Sequence, residues 1–269
     1  MVVVTGASAG IGEAAAQAFG REGASVALVA RTESALLRLA DELGRSGVEA
    51  LAVPADVADP RAAEKVFERV LAELGGIDVL VNNAGVNYRG AVDERAAGEL
   101  THIVQVNLLA PILFTRAVIP HLRKRGGGAV VNVASLAGRV PLPYEATYCA
   151  TKFGLRGFSF SVAEELRGSG ITVSVVSPGP VDTGFIMSGI EDVPDLVFSQ
   201  PMSSALAIAK LIVDSAFDGT RERTPSPVSK VMTTLGYLLP GVARSMTPVL
   251  ERRGRAAKRA YLQRAGKDV

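Results

Sequence analysis

The sequence predicts an α/β fold whose parallel sheet is buried on both faces. Short Val/Ala-rich runs alternate with longer helical patterns along the 269 residues, as buried parallel strands joined by helices would. Hydrophobic residues make up 48% and charged residues 21%, enough apolar matter for a large core beneath a polar surface. The length fits one large domain or two small ones. The single cysteine, Cys149, excludes an internal disulfide framework, offers no metal cluster and suits a cytoplasmic setting. No run of eighteen apolar residues occurs, so no helix is expected to span a membrane. No basic-then-apolar leader precedes the start at 2–4.

A strand over 2–4 runs into Thr5-Gly6-Ala7-Ser8-Ala9-Gly10-Ile11-Gly12, and a helix follows over 13–21. Glycines between strand and helix let the backbone turn sharply and approach a phosphate, while the helix N-terminus offers free N–H groups to an anion. The spacing Gly-x-x-x-Gly-x-Gly differs from the Gly-x-Gly-x-x-Gly fingerprint and lacks a P-loop lysine, so a ligand-free glycine turn is the alternative reading. The second strand, 25–30, ends where a dinucleotide site usually carries an acidic residue for the ribose. Ala30 and Arg31 stand in that place, followed by Thr32. A guanidinium suits a bidentate phosphate contact, which points to a 2′-phosphate and hence NADP(H), unless Arg31 is simply solvated.

Helices over 33–45 and 60–74 flank a strand at 49–53, after which Asp56 can meet an adenine amino group or merely close a turn. The fourth strand, 79–81, ends in Asn82-Asn83-Ala84-Gly85, whose side-chain amides can brace neighbouring strands and the cofactor floor. A helical pattern over 94–123 contains Asn107, four residues before Pro111. Proline has no N–H, so the Asn107 carbonyl loses its helical partner, the helix should kink, and that carbonyl can hold a water. Packing alone would also account for such a kink.

The fifth strand, 129–134, delivers Ser135, whose hydroxyl can hydrogen-bond a substrate oxygen. The sixth, 171–176, leads into Ser177-Pro178-Gly179-Pro180-Val181-Asp182-Thr183, where backbone amides and the Thr183 hydroxyl can hold a carboxamide. The segment 184–200 mixes apolar and acidic residues and is expected to be mobile, and a helix follows over 203–217. His102 and His121 have no partners at metal-ligand spacing and read as ordinary helix residues.

Between those last strands lies a helix over 148–167 bearing Tyr148 and Lys152. Residues four apart share one helix face, so the ammonium should favour the phenolate and bring the phenol from about 10 toward neutrality. A phenol so tuned can give or take a proton. A solvated helix face is the plain alternative for such a pair, and Cys149 beside it reads as a core residue.

Taken together, Thr5-Gly-x-x-x-Gly-Ile-Gly12, Asn82-Asn-Ala-Gly85, Asn107, Ser135, Tyr148-x-x-x-Lys152 and Pro178-Gly179 resemble the short-chain dehydrogenase/reductase family over residues 1 to about 220. The resemblance implies a doubly wound, Rossmann-type domain of about seven parallel strands over 1–220, with 221–269 as a helical extension. It implies hydride transfer between nicotinamide and a carbonyl/alcohol pair. It makes Tyr148 the acid–base, Lys152 its partner and a ribose ligand, Ser135 the holder of the substrate oxygen, and Asn107 the anchor of a relay water. Arg31, aided by Ser8, matches the family's NADP signature. Gly6, Gly10, Ile11 and Gly12 match the phosphate loop, Asp56 and Val57 the adenine contacts, Asn83, Ala84 and Gly85 the cofactor wall, and Pro178, Gly179, Val181 and Thr183 the carboxamide site. The family's last strand should fall near 224–228, where Pro225 and Pro227 spoil a ladder. The resemblance also implies a small-molecule substrate and a homodimer or homotetramer.

Net charge is +2, but residues 230–269 carry +7 and the remainder −5. Val231, Met232, Leu235, Leu238 and Leu239 precede the basic turns, as in a pair of helices covering a substrate site or a subunit contact. Peripheral attachment to anionic lipid is the sharper reading. Nucleic acid is not expected, since no aromatic interleaving accompanies the charge. The leading expectation is an NADP(H)-dependent oxidoreductase for a lipophilic ketone or alcohol. A non-catalytic NADP(H) sensor or scaffold, or an epimerase or dehydratase that keeps its cofactor, are the competing readings.

Overall fold

The computed structural model describes residues 1–264. Strands Val2–Thr5 (β1), Val26–Ala30 (β2), Ala50–Pro54 (β3), Val79–Asn82 (β4), Gly128–Val133 (β5) and Ile171–Val176 (β6) are separated by helices. These are Gly10–Arg21 (α1), Glu33–Arg45 (α2), Ala62–Leu74 (α3), Ala97–Val104 (α4), Ala110–Lys124 (α5) and Ala146–Glu165 (α6). Beyond them lie the short pair Val181–Asp182 (β7) and Ser203–Ser204 (β8), helices Gly184–Met187 (α7) and Ala205–Asp218 (α8), and the strand Glu222–Arg223 (β9). Helices Pro227–Leu238 (α9) and Pro240–Arg264 (α10) complete the chain.

Seven strands form one parallel sheet in the order β3-β2-β1-β4-β5-β6-β9. Alternate side chains leave opposite faces, and both faces are apolar. Val2 and Val4 pack with Leu36 of α2 and Ile208 of α8, whereas Val3 packs with Phe67 of α3 and Phe114 of α5. The chain's winding reverses between β1 and β4, so the carboxyl ends of these strands open a crevice, the usual ligand position in such sheets.

Four expectations are corrected. The 94–123 helix does not simply kink at Pro111. It breaks into α4, one π-helical turn at Gln105–Leu109, and α5, with the Ala110 N–H donating to the Gln105 carbonyl. Pro111 then falls in the first turn of α5, where a missing N–H has little to lose. The same run, Ala97–Lys124, is long and apolar enough to cross a membrane, despite lacking an uninterrupted apolar stretch. In the structure its Ile103, Phe114, Val118 and Leu122 are buried, the last three against the sheet. The edge strand ends before Pro225, and Pro227 opens α9 instead.

The fourth correction concerns 184–200, which is a clamped segment. Ile186, Ile190, Val193 and Phe198 are buried together against Ala257, Tyr261 and Leu262 of α10. Gly254 lets α10 press on this segment, since a Cβ there would lie 1.8 Å from the Asp195 carbonyl oxygen. Arg255 Nε donates to Asp195 Oδ2 at 2.9 Å, and Lys258 Nζ donates to the carbonyls of Glu191 and Val193 at 2.8 and 2.7 Å. Composition alone concealed these partners, which lie some sixty residues downstream.

Candidate active site

A cleft of 1310 Å³ lies across the carboxyl ends of the central strands. One wall is the glycine loop. Gly6 and Gly10 hold φ of +66° and +62°, a region that favours glycine. Gly6, Ser8, Gly10 and Ile11 line the cleft, but Gly12 does not. Gly12 lies behind the loop, where a Cβ would stand 2.1 Å from the Gly6 carbonyl oxygen, so its part is close packing. The loop rests on Thr5 and Asn83. The backbone N–H groups of Asn83 and Ala84 donate to Thr5 Oγ1 at 2.9 and 3.1 Å, and Asn83 Nδ2 donates to the Thr5 carbonyl at 3.0 Å. Asn82 Nδ2 donates to Asn132 Oδ1 at 2.8 Å, so both asparagines brace neighbouring strands.

Arg31, exposed at the end of β2, lines the same cleft and makes no ion pair among the described residues. Asp56 and Val57 follow along that wall, with Asp56 Oδ1 also accepting from the Ala58 N–H at 3.0 Å. Asn83, Ala84 and Gly85 form the floor. Pro178, Gly179, Val181 and Thr183 close it from the opposite side, and Thr183 packs over Gly10.

Ser135, Tyr148 and Lys152 meet in the middle of this cleft. Ser135 leaves β5 and caps the turn Leu136–Gly138 by accepting from the Ala137 N–H at 3.1 Å. Gly138 presses that turn against α6, where a Cβ would lie 2.6 Å from the Lys152 carbonyl oxygen. Lys152 Nζ donates to the Val133 carbonyl at 3.0 Å and sits 5.6 Å from the Tyr148 ring centroid. Asn107 lies behind them, fully buried and off the cleft wall. The π turn presents its side chain to Val86, accepting from the N–H and donating to the carbonyl, each at 2.8 Å.

The electrostatics depart from the sequence-based expectation for Tyr148. Burial raises the phenol from its ordinary value and the Glu145 charge adds to this, while its hydrogen bond with Ser135 and the charge of Arg89 act in the opposite sense. Burial also depresses the Lys152 ammonium to about 8. The phenol is therefore a proton holder rather than a ready phenolate, because loss of water outweighs the Ser135 hydrogen bond and the Arg89 charge. Cys149 is buried and its thiol is pushed up to about 11, as suits a core residue.

Several polar groups here were not anticipated. Arg89 Nε donates to Glu145 Oε1 at 3.0 Å beside the phenol, and its guanidinium lies 5.8 Å from the Phe185 ring centroid. Tyr144, at φ +63°, is held in that left-handed conformation as its carbonyl accepts from the Gly90 N–H at 2.9 Å. Glu145 stands three residues before Tyr148, a spacing that could have flagged it. The Asn87 amide lines the cleft with buried atoms that lack a protein partner, a group suited to a ligand. Further out, Glu222 accepts from Arg139, from Arg156 at 2.9 and 3.0 Å, and from Ser177 at 3.0 Å. Those cations hold its carboxyl down at about 2 despite burial.

The family profile described as short chain dehydrogenase matches residues 1–193. The chain belongs to that family. The short-chain dehydrogenase is similar to "Ketoacyl reductase HetN" of Nostoc sp., with 34% identity over 89% of this chain and 85% of the relative. It is similar to "3-oxoacyl-[acyl-carrier-protein] reductase FabG" of Escherichia coli, with 33% identity over 80% of this chain and 87% of the relative. A further relative is "Dehydrogenase/reductase SDR family member 7B" of Rattus norvegicus, at 32% identity over 71% of this chain and 60% of the relative, so that match covers less than two thirds of the rat protein. As a short-chain dehydrogenase, this protein is an oxidoreductase that works with a nicotinamide cofactor on CH–OH/C=O groups. The residues fit such a group: positive-φ glycines allow close approach to a diphosphate, and the unpartnered Asn87 amide and Arg31 guanidinium face the cleft.

Proposed function

We propose that this enzyme is an NADP(H)-dependent carbonyl reductase for a lipophilic small molecule. The observation that carries the chemistry is the convergence of Ser135, Tyr148 and Lys152 on one cleft that also holds the glycine loop. The glycine loop and the wall of Pro178, Gly179, Val181 and Thr183 would hold a nicotinamide cofactor, which would supply or take up the hydride. Ser135 would hold the substrate oxygen, and Tyr148 would donate its proton to that oxygen. Burial keeps the phenol protonated, the state that donation to a carbonyl oxygen requires. Lys152, charged below about 8, would hold the ribose and stabilise the phenolate left after transfer. Asn107 would act through the backbone of Val86 and the turn it anchors, with a relay water at its carbonyl.

Arg31 supports NADP(H) over NAD(H), since Ala30 and Arg31, not a carboxylate, stand at the end of β2 where two ribose hydroxyls would be received, and a guanidinium matches a phosphate. Ser8 stands on the same wall as its helper, with Asp56 and Val57 for adenine and Thr183 for the carboxamide. Residues 1–220 are read as the catalytic domain and 221–269 as an extension walling the substrate side. Val140, Leu142, Phe185, Met232, Leu235 and Leu239 on that side support a lipophilic ketone. Similarity to relatives named as ketoacyl and 3-oxoacyl-[acyl-carrier-protein] reductases is compatible with this substrate class. A homo-oligomer is expected on the family's habit. The test is NADPH oxidation over a ketone panel with Tyr148→Phe beside the wild type. A loss of about 10²–10⁴-fold in kcat is expected, and an unchanged rate would remove the phenol from the chemistry.

A further inference from the structure

The hairpin of α9 and α10 turns apolar side chains outward. On α9, Val228, Val231, Leu235 and Leu238 recur at spacings of three and four, and on α10 Val242, Met246 and Val249 do the same. Their exposures run from 46 to 68%, so these stripes are not core faces. Arg253 continues the α10 line one turn beyond Val249. The stripe is also continuous with the cleft, because Leu235, Val242 and Met246 line both.

The charge around this surface is lopsided. Arg255 and Lys258 are engaged in clamping 184–200. Lys230, Arg244, Arg252, Arg253 and Arg259 are exposed and make no ion pair among the described residues. Residues 230–269 carry +7 against −5 for the rest.

We propose that this hairpin lies on the surface of an anionic lipid bilayer, with the mouth of the cleft held at the interface. An amphipathic surface that joins exposed apolar side chains to unpaired cations is attracted by anionic headgroups and acyl chains together. Pairing two copies through the same stripe would bring +7 against +7, so charge favours lipid over self-association. The acidic body faces away from such a surface by the same electrostatics. The inference rests on the surface alone and needs no turnover, so it stands or falls apart from the reductase reading.

The experiment is flotation of the full chain with phosphatidylcholine vesicles, with and without phosphatidylglycerol. The wild type should float with the anionic vesicles, and binding should weaken as salt rises. Combined Val228→Gln, Val231→Gln, Leu238→Gln and Val249→Gln substitutions, none on the cleft wall, should cut binding about tenfold or more while NADPH binding is retained. Arg252→Glu with Arg253→Glu provides a second variant that leaves the apolar stripe whole, and it should lose binding to anionic vesicles. Wild-type protein that stays at the bottom of the gradient would overturn the proposal. So would equal flotation of both variants, or a sedimentation profile in which the stripe drives self-association with no vesicle binding.

Discussion

The glycine-loop half of the sheet and the C-terminal segment from 184 onward are held by different forces. At the glycine loop, where β1 and β4 end, the fit is steric and neutral: Gly12 admits the Gly6 carbonyl, and Thr5 and Asn83 join the strands through uncharged hydrogen bonds. The C-terminal segment is tied down by charge. Glu222 gathers Arg139 and Arg156, and Arg139 also donates to Thr233 Oγ1 at 3.1 Å and Thr234 Oγ1 at 2.7 Å on α9. Asp195 takes Arg255 from α10. The glycine loop should be sensitive to size and little affected by acid, whereas the C-terminal segment should respond to acid as well as to size, since Gly254 also packs against the Asp195 backbone.

The largest expected effect is at Glu222, whose side chain is only 7% exposed. Glu222→Ala leaves Arg139 buried without its counter-charge, which should destabilise the fold by about 3–5 kcal/mol in a urea titration. Its carboxyl is held near 2 against an ordinary 4.5. A depressed carboxylate contributes stability above the ordinary value and loses it as pH falls toward the folded one. The wild type should therefore lose stability between those limits, and the variant should show a flatter dependence there. An identical acid slope would break the contrast.

Gly12→Ala should come next, at about 1–3 kcal/mol, because the new Cβ meets backbone rather than a movable side chain. NADPH titration by fluorescence should show weakened binding, since the displaced Gly6 belongs to the cleft wall. An unchanged melt with tight NADPH binding would show that this region yields more than its packing suggests.

Arg31→Ala sharpens the picture within the cofactor half, where an exposed guanidinium faces the cleft. It should lower NADPH affinity about tenfold while leaving NADH binding nearly unchanged, as befits one phosphate contact. The smallest effect is expected from Glu145→Gln. Removing that charge takes away one influence that raises the phenol, so the onset of Tyr148 phenolate absorbance in an alkaline titration should move to lower pH. A shift upward would contradict the assigned role.

Much of the site could be read along the chain because its parts are local. The glycine run, the Asn82-Asn83 pair, Ser135 at a strand end, and Tyr148 with Lys152 on one helix each follow from short-range spacing. The pairing of Glu222 with Arg139 spans 83 residues, and the clamp of Lys258 on Glu191 spans 67, so no periodicity announces either. The π turn also escaped, since a proline four residues past Asn107 fits a plain kink equally well.

By itself, the sequence determined the parallel sheet, the phosphate-sized turn after β1 and the shared face of Tyr148 and Lys152, because backbone sterics and side-chain period act over a few residues. The tertiary structure decided how tightly the phenol keeps its proton, which cations meet Glu222 and which apolar residues of α9 and α10 remain outside. Desolvation and charge pairing depend on what the rest of the chain brings alongside, and that is settled only when distant segments pack.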